Sequence, residues 1–128
     1  MFVRFQSAVP NRNGRFPGVF AMANGLHDTG RLSGKDAAWW RQSNDRLNAA
    51  YANPSLVSPG SYEHPGARSW FKETAIDLLT LTGGYLALLD RYDIPWGELR
   101  TMTPGRLTYE DDVQIVAVPF RYPDDWPL

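Results

Sequence analysis

The sequence predicts a single α+β domain, residues 1–128, in which an antiparallel sheet of four strands is packed by about three helices. One strand is N-terminal and the other three form a C-terminal meander. Three observations predict this. Residues 1–9 alternate with period two, residues 18–27, 37–51 and 68–92 carry apolar side chains at steps of three and four, and the chain after Pro95 divides into short apolar runs separated by turn residues. A chain of 128 residues can form one buried core, and 43% apolar with 13% aromatic residues excludes disorder of the whole chain.

In the first strand Val3, Phe5 and Val9 fall on one side and Phe2, Arg4 and Gln6 on the other. Pro10 and the run Asn11, Arg12, Asn13, Gly14 then form a polar turn, because Pro lacks a donor and Asn and Gly tolerate positive φ. Val19, Met22, Ala23 and Leu26 recur at helical spacing, and Gly30 offers a stop to this short helix. Ser33 with Asp36 three residues on resembles a capping box. It precedes a stripe of Ala37, Trp40, Asn44, Leu47 and Tyr51, and Pro54 ends that helix near Ala52.

Residues 53–66 hold Pro54, Pro59, Gly60, Pro65 and Gly66 and read as a long loop. Phe71, Ala75, Leu78, Thr82, Tyr85, Leu89 and Tyr92 keep one stripe, which predicts a single long helix over residues 68–92. Gly83 and Gly84 interrupt it, so a kink or a break into two helices at that pair stays open. Residues 96–102, 106–109 and 113–120 then read as three strands, joined by tight connections at Thr103-Pro104-Gly105 and Glu110-Asp111-Asp112. The last of them is apolar on both faces and therefore central. Residues 121–128, with Pro123 and Pro127, read as irregular, with Trp126 docking the end back onto the domain.

No run approaches the ~20 apolar residues that span a bilayer, and Arg4 and Gln6 fall where a signal peptide needs an apolar stretch. The absence of Cys removes disulfides, thiolate nucleophiles and Cys-based metal centres, and fits a reducing compartment, the cytoplasm. The formal net charge of −1 argues against a nucleic acid partner. The charge is uneven, however. Residues 1–50 hold seven basic and three acidic side chains, whereas residues 51–128 hold six and eleven.

Four groups of residues are candidates for chemistry. Glu110, Asp111 and Asp112 place three carboxylates in a predicted turn. There they could ligate Mg²⁺ or Ca²⁺, or Glu110 or Asp112 could supply a base, although Asp is favoured in turns simply for bonding nearby backbone donors, which is the preferred reading. His27 and His64 are the sole histidines, His27 being the better acid–base candidate, and no metal-ligand or nucleophile motif surrounds either. No metal or cofactor is called for. Arg4, Arg12 and Arg15 sit close together before the first helix, where backbone N–H groups and the helix dipole would help them bind an anion. Trp39 with Arg41, and Trp70 at the start of the predicted long helix, would anchor a protein interface if exposed, and pack inside the monomer otherwise.

The segments WFK, GYLALLDRYDI and LRTMTPGRLTYEDDVQIVAVPF, with the opening MFVRFQSAVPNRNGRFPGVF, resemble a group of small bacterial proteins, many of them actinobacterial. The resemblance implies a bacterial, cytoplasmic, standalone domain. It carries no activity and no catalytic residues onto this chain.

With no nucleophile–base pair, metal cluster or cofactor loop in view, the sequence points first to a non-enzymatic binding or regulatory protein that acts through a partner protein or as a homo-oligomer. The alternative is a small enzyme or ligand-binding protein that takes an anionic ligand through Arg4, Arg12 and Arg15, with a carboxylate of the 110–112 turn or His27 as acid or base. That reading needs the first strand beside the last hairpin. A nucleic acid binder ranks third.

Overall fold

The computed structural model describes residues 1–120, so the expected irregular end and the docking of Trp126 lie outside the described residues. Strand β1 (Phe2–Ser7) leads into helices α1 (Val19–Asp28) and α2 (Gly34–Ala50). A short helix α3 (Pro54–Val57) and a 3₁₀ turn (Pro59–Tyr62) follow, then β2 (Arg68–Lys72), α4 (Ile76–Arg91), β3 (Trp96–Thr101), β4 (Arg106–Glu110) and β5 (Gln114–Val118). The fold is α+β with three long helices and one antiparallel sheet. That sheet has five strands rather than four, in the order β3-β1-β2-β5-β4.

The fifth strand is β2, taken from the start of the predicted long helix. The spacing of Phe71, Ala75 and Leu78 is that of a helix face, which is why residues 68–72 read as a continuation of the α4 stripe. All three do enter one core, Phe71 from the sheet and Ala75 and Leu78 from α4 and its cap. Trp70 points to the opposite face of the sheet and is 1% exposed. A strand buried on both faces shows no alternation, and this one is therefore hidden in a helical pattern. Helix α4 runs unbroken through Gly83 and Gly84. The 53–66 segment, expected as a loop, contains α3 and the 3₁₀ turn, with the Asn53 side chain accepting from Ser55 N–H at the cap.

The C-terminal strands do not form a meander. Strand β3 pairs with β1 and β4 with β5, so these two strands lie at opposite edges. Only the 110–112 connection is a hairpin turn. The Thr101 to Arg106 connection covers five residue steps, a reach of about 18 Å at most. Four interstrand spacings of a flat sheet come to about 19 Å before any offset along the strands. The sheet is accordingly curled, and its tightest point is Gly105, at φ +124°, where a β-carbon would stand 2.1 Å from the Val118 carbonyl oxygen.

The main core lies between the sheet and the helices. Val19, Ala23 and Leu26 of α1 and Leu78, Tyr85, Leu88 and Leu89 of α4 pack there with Phe71. Helix α2 closes over α4 through Trp39, whose ring meets Tyr85 edge-on at 5.1 Å. The ends of the two helices are latched. Asp36, in the first turn of α2, accepts from Tyr92 Oη at 2.7 Å and Arg91 Nη2 at 2.9 Å, while Ser33 Oγ caps Asp36 N–H. The predicted cap at Ser33 is present, but the Asp36 carboxylate turns to α4 rather than back to its own helix. Among the described residues no helix is long and apolar enough to cross a membrane.

Candidate functional site

The site begins at a fork in the sheet. Strands β1 and β2 pair at Phe2↔Lys72 and Val3↔Phe71. Beyond that, residues 16–18 run alongside β1 instead. Ser7 N–H donates to the Pro17 carbonyl at 2.8 Å, and Gln6 bridges Gly18. The Arg4 guanidinium fills the fork. Its Nε donates to Gln6 Oε1 at 2.8 Å, Nη1 to the Ser69 carbonyl at 3.1 Å and Nη2 to the Phe16 carbonyl at 3.2 Å. One planar side chain thus ties together β1, β2 and the returning loop, as a five-donor fork can and an ammonium cannot.

Arg68 enters the same place from β2, its Nη1 lying 3.5 Å from Gln6 Oε1. Arg4 is 9% and Arg68 7% exposed. Burial first, and then the charge of Arg68, push the pKa of Arg4 down to about 10, with a small opposing effect from Tyr62. Two cations are held close together out of water, and the hydrogen bonds of Arg4 to Gln6, Ser69 and Phe16 all end on neutral oxygens.

Above this pair opens a cleft of about 590 Å³ bounded by the sheet, α1, the C-terminal half of α2 and the segment around α3. Phe20, Leu47, Phe71 and Leu78 give it an apolar wall. Asn24, Asn44, Asn48, Ser55, Tyr62 and Gln114 give it neutral polar groups. No Asp, Glu, Lys or His lines it among the described residues, and its charge comes from Arg4 and Arg68. Several of the amides are fixed. Gln114 Nε2 donates to the Ala52 carbonyl at 2.7 Å, and Asn44 accepts from the Tyr85 hydroxyl while donating to Asn24 Oδ1 at 3.4 Å. Asn48 and the Tyr62 hydroxyl, at the mouth, make no hydrogen bond among the described residues. The chemistry on offer is selection of a negative charge at the floor, beside apolar area and neutral donors. Among the described residues no carboxylate and no imidazole lines the space.

The arginine cluster expected before α1 divides. Arg4 is at the cleft, Arg12 is exposed on the turn, and Arg15 Nη1 donates to the Pro65 carbonyl. The second cation of the cleft is Arg68. Helical spacing assigns that residue to a helix, and its local signal, an arginine between Pro65-Gly66 and an aromatic pair, carries no hint of β pairing.

The expected acid–base residues lie elsewhere. The β4–β5 hairpin is separated from β1 by β2. Glu110 Oε2 pairs with Lys72 Nζ at 2.8 Å, and Asp112 is exposed. Asp111 caps the turn, its Oδ1 accepting from Val113 and Gln114 N–H at 2.9 Å each and its Oδ2 from Tyr109 Oη at 2.7 Å. Partial burial raises its pKa, and these donors outweigh that and hold it below the usual value. The His27 ring stacks on Trp40 at 3.9 Å, and Trp40 Nε1 donates to Asn24 Oδ1 at 3.1 Å. His64 Nδ1 accepts from Gly66 N–H at 2.8 Å. Among the described residues no three His, Asp or Glu side chains gather as metal ligands. Trp39 packs on α4, Trp70 is buried in the sheet, and Arg41 is exposed on α2.

No family model, no curated protein and no solved structure matches the chain.

Proposed function

We propose that this protein binds a small organic anion in the cleft floored by Arg4 and Arg68. The observation that carries this reading is electrostatic. Two guanidinium groups are buried side by side at the base of a cleft whose lining, among the described residues, holds no carboxylate. Two adjacent guanidinium groups give this end of the cleft a positive field that favours an anion, while the apolar wall takes the rest of the ligand. The N–H groups of Arg4 are largely committed to Gln6, Ser69 and Phe16, so Arg4 supplies field more than donors. Arg68 adds a second positive charge, and Asn48 and Tyr62 offer neutral polar groups. The lining groups named, two arginines, neutral amides and an apolar wall, support a reading of binding. Trp39 and Trp70, the anchors expected for a partner protein, are both packed within the monomer, which moves the preference to the cleft.

The test is a thermal-shift series with inorganic phosphate, citrate and nucleoside monophosphates, each beside a neutral analogue of similar size, run on the wild type and on Arg68→Gln. Binding to the native state raises Tm with ligand concentration. Stabilisation by an anion that is absent for its neutral analogue and lost in Arg68→Gln is the expected result. Equal shifts in both proteins, or none with any anion, overturn the reading.

A further inference from the structure

Strand β3 lies at one edge of the sheet. Among the described residues β3 hydrogen-bonds to β1 alone, which leaves its other side without a ladder. Ala8 N–H donates to the Pro95 carbonyl at 3.0 Å, which places Pro95 in a hydrogen-bonded pair with β1. Backbone polar groups alternate in direction along an antiparallel strand. Gly97, Leu99 and Thr101 therefore point their N–H and C=O groups at β1, and Trp96, Glu98 and Arg100 point theirs outward. The opposite side of β1 confirms the parity, since Ser7 N–H is turned away from β3 to Pro17.

A second copy added antiparallel at this edge must match outward groups with outward groups, which restricts the registers. Centring the two-fold axis on Glu98 puts Glu98 opposite its own copy. Centring it on Arg100 does the same for the arginine. Like charges directly opposite each other are unfavourable. Centring it on Leu99 places Glu98 opposite Arg100 of the other copy, and Arg100 opposite its Glu98, each in a hydrogen-bonded pair. In the monomer the two side chains share a face, with Arg100 Nε 2.9 Å from Glu98 Oε2, and both are exposed. They are poised to exchange partners across the axis.

We infer that the protein forms a symmetric homodimer by antiparallel addition of β3 to β3, with Glu98 and Arg100 fixing the register. This interface is independent of the cleft. It is short and polar, so it belongs to the weak, concentration-dependent class of contacts and its charge pairs weaken with salt.

The experiment is sedimentation velocity over a wide protein concentration range at low salt, with circular dichroism to show that each variant is folded. The wild type is expected to dimerise. Glu98→Arg alone and Arg100→Glu alone each set like charges across the axis, and each is expected to weaken the dimer by roughly 10-fold or more. An equimolar mixture of the two single variants restores complementarity at every pair and is expected to form a heterodimer, and the double variant Glu98→Arg/Arg100→Glu is expected to self-associate as the wild type does. A monomeric wild type at the highest concentration, single variants that dimerise unchanged, or a mixture and a double variant that both stay monomeric would overturn the inference.

Discussion

Trp39 occupies the space that a side chain at Gly84 would need: a β-carbon there would stand 2.7 Å from Trp39 Cζ2. The neighbouring Gly83 has nothing within 4 Å of the same position. The paired glycines are therefore not equivalent, although both lie inside one unbroken helix. Gly83→Ala is expected to raise stability by about 0.5–1 kcal/mol through helix propensity alone. Gly84→Ala is expected to lower it by about 1–3 kcal/mol, because the indole must move off Tyr85. Urea unfolding of the two variants separates them by sign.

That contact also shows where the sequence is legible and where it is not. The patterns of β1, α1, α2, β4 and β5 can be read locally, β1 from its period-two sequence although residues on both its faces are buried, and β5 from its apolar run. The glycine pair can be read only as an interruption, since the partner that requires Gly84 lies 45 residues away on another helix. Strand β2 is lost because Phe71 happens to continue the stripe of α4, and Arg68 is lost with it. The sequence singles out Arg4, but its partners at Phe16 and Ser69 are backbone carbonyls, which no side-chain pattern announces. The Thr103-Pro104-Gly105 run has the composition of a hairpin turn and serves instead as a crossing between the two edges of a curled sheet.

The crossing depends on Gly105. Its φ is +124°, and an added β-carbon would lie 2.1 Å from the Val118 carbonyl oxygen, so Gly105→Ala combines backbone strain with a clash against fixed main chain. A loss of about 3 kcal/mol or more is expected. Gly14→Ala, at φ +74° with open space around it, is expected to cost only about 1–2 kcal/mol. The urea midpoints of the two variants give the comparison.

Arg4 holds the fork closed, so removing it leaves the Phe16 and Ser69 carbonyls short of a donor, while Gln6 Oε1 keeps Arg68 Nη1. Arg4→Met is expected to cost about 2 kcal/mol or more, at about 1–3 kcal/mol for each acceptor left unsatisfied. Arg4→Lys should recover little of this, since a single ammonium cannot span three acceptors in different directions. Equilibrium unfolding of both variants checks the claim, and full stability of the lysine variant would contradict it.

Two carboxylates among the described residues contribute stability that depends on acid pH. The hydroxyl of Tyr92 and the guanidinium of Arg91 hold the pKa of Asp36 below its usual 3.8. Asp111 is held below the same value by Tyr109 and two backbone N–H groups, against the effect of its own burial. A depressed carboxylate pKa contributes stability that is present above the unfolded value and lost as pH falls through the folded one. Asp36→Asn and Asp111→Asn are therefore expected to be less stable than the wild type at neutral pH, with the difference shrinking once pH falls below about 4. Urea midpoints measured from about pH 7 down to about pH 2.5 follow both differences.

The most direct measurement for the cleft is a crystal structure of the protein soaked in sodium iodide, with the anion located by its anomalous signal. If two buried guanidinium groups make this a site for negative charge, iodide occupies the floor of the cleft against Arg68, within reach of Arg4, and leaves that position in Arg68→Gln crystals. Iodide found only on the outer surface, with the cleft floor holding water in the wild type, would contradict the account.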